Sequence, residues 1–269
     1  MAIGTQQVEV ALKLKQESEF QRALIPIYTQ IIKESTEHYA NTQQAKNLDE
    51  YYQSIAATTF LAWLLTRKSF SVLMFRIFKQ SKSFMRLMHQ IARIDTTGRT
   101  TSFNVLDGIK SSADTKNLSH MNTWVNKATE SVTATNQKQL VAIASLGLPV
   151  FEFREKLKET FNKRIDTIAA TTVQEASEST KDSIFTESNN VIKTHLPDAK
   201  PLKKQWIAVL DDRTRPDHAA ADMQIKEMNE PFEVGESLLM YPADSSLGAP
   251  LSQTINCRCI SVIAGLFTF

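Results

Sequence analysis

The sequence predicts an α+β protein that is mostly α, with long N-terminal helices followed by a small C-terminal α+β domain with short strands. The first 190 of its 269 residues contain only two of the eight prolines, and an interior proline costs a helix about 3 kcal/mol. Beyond Pro197, short apolar runs alternate with turn-rich segments, which is typical of short strands. An apolar fraction of 42% is enough for a buried core.

The N-terminal half contains two helical patterns. Apolar residues from Val8 to Ile32 recur at spacings of three and four, which predicts an amphipathic helix over 8–35. A polar stretch at 41–48 predicts a loop or a helix junction. Residues 51–94 are apolar around much of a helix circumference, so we expect this segment to lie in a core or at an interface.

The second half of the helical region is interrupted by turn signals. Residues 95–119 are rich in Thr, Ser, Asp and Gly and predict a loop, with a short element at 103–109. Helix resumes at 120–146 and stops at Gly147-Leu148-Pro149, because glycine suits the end of a helix and proline cannot continue one. We expect a further helix over 150–194, ending at His195-Leu196-Pro197, and strands near 206–210, 237–241 and 260–263.

The interval between Glu50 and Asp95 contains no acidic residue. A basic face of this kind is able to meet DNA, an acidic protein ring or a membrane surface, although the solvated face of a core helix pair is the favoured explanation. As a partner interface it predicts the following apolar and basic residues: Phe70, Met74, Phe75, Phe78, Met85, Arg76, Lys79 and Arg86. As a DNA-binding face it predicts salt-dependent binding through Arg67, Arg76, Lys79, Lys82 and Arg86.

The residue types best suited to metal binding or catalysis lie between Trp206 and Cys259. Both cysteines of the chain are here, at Cys257 and Cys259, together with His218. Zinc takes four thiolate, imidazole or carboxylate ligands in a tetrahedron, and a Cys-x-Cys pair on a strand places both sulfurs on one face. The sequence therefore offers a zinc site at His218, Cys257 and Cys259. Four residues are candidates for a fourth ligand: Asp211, Asp212, Asp217 and His195.

Three other interpretations of this segment stay open. One is nucleophilic catalysis by a cysteine with His218 as base. Another is anion binding by Arg213 and Arg215, although neighbouring acids favour a salt-bridged network. The third is structural: Asp212 accepts backbone N–H groups of a turn, Pro216 begins a helix that Thr214 or Asp217 supports, and Asn256 bonds local backbone. The residues of this structural motif are Trp206, Asp212, Arg213, Arg215, Pro216, His218, Asn256, Cys257 and Cys259.

An ordered series of motifs runs through the C-terminal part of the chain. It comprises Trp206, Asp211-Asp212-Arg213-Thr214-Arg215-Pro216-Asp217-His218, Pro231-Phe232, Pro242-Ala243-Asp244 and Asn256-Cys257-Arg258-Cys259. Over about 160–263 this series resembles the phage Mu F-like minor head protein domain. An upstream helix resembles it in part, with Ala170-Thr171-Thr172 where the family has Arg-Thr-Glu.

The resemblance implies a minor head protein of a tailed phage that acts in head morphogenesis. The resemblance does not extend to residues 1–150. The change in sequence pattern divides the chain into 1–150, a helical region expected to interact with portal or capsid, and 151–269, the Mu F-like domain with a long helix at 151–194 and a compact α+β unit at 200–263. The implied partners are the portal protein, major capsid or scaffold proteins and packaged DNA. The implied location is the virion near the portal vertex, with host cytoplasm during assembly and a role in DNA retention or ejection.

Composition is compatible with this expectation. The formal charge of +2 is too small to indicate nucleic-acid binding by itself, and the longest apolar run is shorter than the roughly 20 residues of a membrane span. The N-terminus has no signal-peptide pattern, and no membrane partner is expected. No established activity transfers with the motif residues, so the expectation is a protein that is not an enzyme. The alternative is a zinc-dependent enzyme or nucleotide-using transferase centred on His218, Cys257 and Cys259.

Overall fold

The computed structural model describes residues 2–94 and 102–264, and the side chains of 7–81, 84–91 and 105–264. It confirms the predicted fold class of long N-terminal helices followed by a small domain with short strands. The helices are α1 (Ala2–Thr42), α2 (Tyr52–Gln80), α3 (Lys82–Ile94), α4 (Ser102–Ala144), α5 (Val150–His195), α6 (Pro216–Ala220) and α7 (Leu251–Thr254). The strands are β1 (Lys203–Ile207), β2 (Ile225–Glu227), β3 (Phe232–Val234), β4 (Ser237–Leu239) and β5 (Ile260–Ile263).

The chain divides into two compact units, and each of the four longest helices contributes a segment to both. The first unit contains Met1–Lys13, Thr66–Ser119 and Gln174–Phe269, and the second contains Leu14–Leu65 and His120–Val173. The units therefore combine segments from both sides of residue 150. The predicted helix end at Gly147 is confirmed, since this glycine has a φ of 62° and its N–H bonds to the Ala144 carbonyl.

The second unit is a helical core of aromatic and aliphatic residues. Tyr39 stacks on Phe153 with ring centroids 3.9 Å apart, and Tyr28 meets Phe161 edge-on at 5.5 Å. The phenol groups also find partners, because Tyr39 donates to the Leu148 carbonyl and Tyr28 accepts from the Asn136 amide. The apolar faces of these helices therefore pack against one another in the core of this unit.

The loop predicted at 95–119 is wrong for the described part of that interval. Residues 102–119 belong to α4, and 95–101 lie outside the described residues. The polar composition misled the prediction because only one narrow stripe is buried, at Leu106, Ile109, Ala113 and Asn117. Packing of that stripe in the first unit overrides the weak helix propensity of the exposed serines, threonines and aspartates.

The C-terminal part of the first unit carries two small antiparallel sheets. One has the order β2-β1-β5, and the other is the β3-β4 hairpin. Trp206 on β1 pairs with Ser261 on β5, and its ring is fully buried. The side-chain amide of Gln224 bonds to both backbone groups of Glu233, so it joins the two sheets as a short strand would. We call residues 203–263 the C-terminal module.

A closed ring of alternating charges lies buried in the first unit. Lys13 Nζ is 2.7 Å from Glu178, Lys181 Nζ is 2.7 Å from Glu178 and 2.6 Å from Glu9, and Lys13 is 3.4 Å from Glu9. The second Glu178 oxygen accepts from the backbone and hydroxyl of Ser261 at 2.9 Å. Although burial opposes ionisation, the two lysines hold the pKa of Glu178 below its ordinary value. We call these four residues the charge ring.

Replacing Glu178 with alanine is expected to lower the free energy of unfolding by about 3–5 kcal/mol. The substitution leaves two buried ammonium groups and a buried N–H without their shared acceptor. Urea unfolding at neutral pH measures the loss. Glu159→Ala is the control, because Glu159 also pairs with two lysines but is exposed, and its unfolding midpoint should stay close to that of the parent. Equal shifts for the two variants would contradict the role given to the charge ring.

Candidate metal centre

Three buried donor atoms converge in the C-terminal module. His218 lies on α6, and Cys257 and Cys259 lie on the segment that enters β5. The Nδ1 atom of His218 is 3.6 Å from the Cys257 sulfur and 3.4 Å from the Cys259 sulfur. Zinc bonds of about 2.3 Å to sulfur and 2.0 Å to nitrogen, opened to a tetrahedral angle, give a nitrogen–sulfur separation of roughly 3.5 Å. The residues therefore form a group that could hold a metal ion.

The other nitrogen of His218 is held by a relay of two side chains. Nε2 lies 3.0 Å from the Gln253 amide oxygen, and the Gln253 amide nitrogen donates to Asp217 at 2.7 Å. Because the Gln253 amide nitrogen already donates to a carboxylate, the amide oxygen faces His218 and accepts a hydrogen bond from Nε2–H. The lone pair of Nδ1 is then directed to the sulfurs, as a metal ligand requires.

The Asp217 carboxylate occupies space that is available because residue 235 is a glycine. Gly235, in the turn between β3 and β4, has a φ of 60°, and a Cβ built there would lie 2.6 Å from Asp217 Oδ2. This position needs glycine for two reasons, since L side chains rarely adopt such a φ and the carboxylate occupies the space of the missing methyl group.

The two thiols have different environments. The pKa of Cys259 lies below its ordinary value, chiefly because the Cys257 thiol hydrogen-bonds to it, with smaller contributions from Trp206 and the Val209 backbone. The pKa of Cys257 lies well above its ordinary value, because its proton is held by Cys259 and because it is buried. The Trp206 indole N–H is buried without a hydrogen bond of normal length, and a metal-bound thiolate at Cys259 would be a better acceptor for it.

Cys259 is also fixed through its backbone. Its carbonyl accepts from the Gln174 amide at 2.6 Å, and the Gln174 oxygen in turn accepts from Lys13 at 2.7 Å. The imidazole of His218 packs edge-on against Trp206, whose ring also meets Phe232. The donor set is therefore preorganised by both hydrogen bonds and aromatic packing.

The donor group opens on a small pocket. Its lining is basic and polar: Val209, Arg213, Thr214, Arg215, His218, Asn256, Cys257, Arg258 and Cys259. Asp211 lies beside it and is held by both terminal nitrogens of Arg258, at 2.5 and 2.6 Å. These bonds keep the pKa of Asp211 well below its ordinary range.

Several predicted roles around the site are wrong in detail. Asp211 instead of Asp212 accepts the turn N–H, from Arg213, and its charge partner is Arg258. Arg215 donates to the Ile255 carbonyl, so neither predicted arginine forms the expected ion pair among the described residues. Pro216 does begin α6, but the helix has no side-chain cap. Asn256 sits in a left-handed turn with a φ of 53°.

None of the four residues predicted for a fourth ligand joins the donor group. Within the described part of the chain, the His, Cys, Asp and Glu atoms close enough to share an ion come from His218, Cys257 and Cys259 alone. Asp211 and Asp217 are engaged by Arg258 and Gln253, as described above. Gln253 was missed by the sequence analysis, because nothing in the residues around it signals a contact with a histidine 35 positions earlier.

The predicted partner interface is wrong for its apolar centre. Phe70, Met74 and Phe78 are at most 3% exposed and belong to the core of the first unit, against which Phe75 and Met85 also pack. The apolar character of α2 is therefore explained by burial. The basic residues Arg76, Lys79 and Arg86 are exposed, Arg67 pairs with Asp114, and the Lys82 side chain lies outside the described residues.

Replacing Gly235 with alanine should destabilise the protein more than replacing Gly248 does. Both glycines have a positive φ, so both substitutions cost about 1–2 kcal/mol of backbone strain. Only at Gly235 does the new methyl group also displace the Asp217 carboxylate, whereas Gly248 has open space around it. Thermal unfolding of the two variants measures the difference, and a Gly235 variant no less stable than the Gly248 variant would contradict this account.

Comparison of the chain with protein-family models, curated proteins and solved structures finds no match. Among the helices in the described residues, none is both long enough and apolar enough to cross a membrane. The centre must therefore be interpreted from its own chemistry and from the motif resemblance.

Proposed function

We propose that this protein is a minor head protein of a tailed phage, and that zinc bound by His218, Cys257 and Cys259 holds its C-terminal module closed. The observation that carries the metal proposal is the geometry of the three buried donors. One imidazole nitrogen lies at 3.4 and 3.6 Å from two sulfurs, close to the roughly 3.5 Å expected around a tetrahedral zinc ion. Soft thiolates with imidazole favour zinc over magnesium or calcium.

The need for a metal follows from the small size of the module's own core. Its buried cluster has few large apolar side chains, at Trp206, Phe232, Val234 and Leu239, and includes both cysteines. Small domains with little apolar surface often gain stability from a structural metal. Here one ion would join α6 to the segment before β5, which are about forty residues apart in sequence.

The phage role rests on the motif resemblance and is supported by how its residues converge. Trp206, His218, Cys257 and Cys259 come from separate stretches of the chain and share one buried cluster of contacts. A motif whose residues build the interior of a module acts as a folding signature, which supports the proposed kind of domain and leaves the outer surfaces of the module for partners. We propose the portal protein as the main partner, with capsid or scaffold proteins and packaged DNA as further contacts.

A zinc-dependent hydrolase is the second candidate. The specific observation in its favour is that three protein donors, instead of four, meet at the edge of a pocket. Catalytic zinc sites keep one position for water, whereas structural sites are usually closed by four protein ligands. Activity measurements with zinc-loaded protein on ester, amide and phosphate substrates separate this candidate from the structural role.

Purified protein loaded with zinc is expected to hold about one ion per chain, and His218→Ala should reduce this to near zero. Because zinc binds the folded state, a free concentration a hundred times its dissociation constant should add about 2.7 kcal/mol to stability. Elemental analysis and thermal unfolding with and without a chelator measure both effects. His195→Ala is the matched control, since His195 is exposed and is not among the three donors.

Removing the Gln253 side chain, which holds His218 Nε2, tests the same metal site with a smaller expected effect than removing His218 itself. Gln253→Ala should weaken zinc binding by about ten- to a hundredfold, because outer residues that orient a ligating histidine have effects of this size. Exposed Ser252→Ala provides the control. Purified protein that holds no zinc, and whose stability does not change when a chelator is added, would contradict the metal proposal. Cys257 and Cys259 would then be two buried thiols.

Association with the head is tested by co-expression with a portal protein of a tailed phage. The expected outcome is copurification of the two proteins and the presence of this protein in virions in few copies, measured by affinity capture and quantitative mass spectrometry. A monomer that is absent from virions would contradict the phage role.

A further inference from the structure

We infer that the metal centre keeps one exchangeable coordination position and that an oxyanion group, a phosphate or a carboxylate, binds there through one oxygen. The inference rests on the proposed zinc site and adds the class of ligand that it takes. It follows from three features of the pocket beside the donor group: the missing fourth donor, the size of the space and the charge of the lining.

The first feature is the coordination number. In the part of the chain with described side chains, three His or Cys donors lie within 4.8 Å of one another and no carboxylate completes the group. Asp217 is turned away, because its carboxylate packs against Gly235 and accepts from Gln253. A tetrahedral ion would therefore take its fourth ligand from outside the donor group.

The second feature is the size of the space. The pocket has room of about 10 Å³, roughly what one water molecule needs. This space accommodates a water or a single ligand oxygen beside the three donors. The rest of a larger ligand has to lie at the mouth, where Arg213 and Asn256 are exposed.

The third feature is charge. Two thiolates neutralise the two charges of zinc, so the lining decides which ligands are favoured. Arg213, Arg215 and Arg258 line the pocket, and Asp211 balances Arg258 alone. Arg215 bonds to the uncharged Ile255 carbonyl and keeps its full positive charge. The residues that line the pocket thus include three arginines and no acid, and guanidinium groups match the oxygens of phosphates and carboxylates.

Arg213 is the arginine that we assign to the ligand. Arg215 and Arg258 are held by contacts that build the module, whereas Arg213 is exposed at the pocket and belongs to no ion pair among the described residues. When the oxyanion binds, a water leaves the metal and one ligand oxygen takes its place. The remaining oxygens accept hydrogen bonds from Arg213.

Cobalt(II) in place of zinc reports the fourth ligand through its visible absorption. Cobalt-loaded protein is titrated with inorganic phosphate and with acetate at constant ionic strength, and with chloride as the reference anion. The expected result is a saturable spectral change with phosphate or acetate that chloride does not produce. The stronger of the two responses identifies the group that the pocket prefers.

Arg213→Gln should weaken oxyanion binding by about tenfold, the size of one charge-assisted hydrogen bond. Arg154→Gln, an equal charge change at an exposed position of the other unit, should leave it unchanged. A tetrahedral cobalt spectrum that no anion alters would overturn the inference and leave the zinc proposal intact. Failure to bind cobalt or zinc would overturn both the inference and the zinc proposal. Equal weakening of oxyanion binding in the two variants would overturn the role given to Arg213, because the effect would then follow from net charge alone.

Discussion

The Glu178 carboxylate is the contact on which the first unit depends. It lies on α5, fully buried, and its two oxygens have different tasks. One oxygen meets Lys13 of α1 and Lys181 of α5, while the other accepts both hydrogen-bond donors of Ser261 on β5. Isolated buried charges are costly, so each member of the charge ring is tolerated only while the others are present. The start of the chain, its longest helix and its last strand are thereby made interdependent.

The same stretch of α5 supports the C-terminal module along its length. Gln174 holds the Cys259 carbonyl, Glu175 accepts from the Tyr241 hydroxyl at 2.9 Å, and Asp182 lies 3.6 Å from the buried Lys204. Burial raises the pKa of Asp182 to about 6. An α-helix that is polar over most of its surface is unusual in a core. Here polar side chains of α5 take the place of apolar packing against a module that has little hydrophobic surface. Their directional hydrogen bonds and ion pairs fix the position of the module, and with it the donor group, on α5.

The sequence was informative where one rule dominates. Helix ends at Gly147 and His195 were predictable because glycine and proline restrict the backbone locally. The group of His218, Cys257 and Cys259 was one of several predicted possibilities, because histidine and cysteine are ligands that zinc prefers. Three features were not predictable, because each depends on a contact between distant segments. They are the hydrogen bonds through Gln253, the charge ring and the role of Asp211 where Asp212 was expected. The interface predicted around Phe70 failed for a related reason, since an apolar run does not reveal whether it faces a core or a partner.

The surroundings of the donor group favour a structural metal over a catalytic one. A hydrolytic zinc site needs a group that moves protons to and from the bound water, and a carboxylate or histidine usually does this. Two carboxylates beside the donor group are both engaged: Asp211 is held by two nitrogens of Arg258 and has a strongly lowered pKa, and Asp217 accepts from Gln253 beside Gly235. Neither is placed to act as a base without breaking a contact that builds the module. The exchangeable position that we propose beside these arginines is suited to holding an anionic group of a partner, which fits the proposed assembly role.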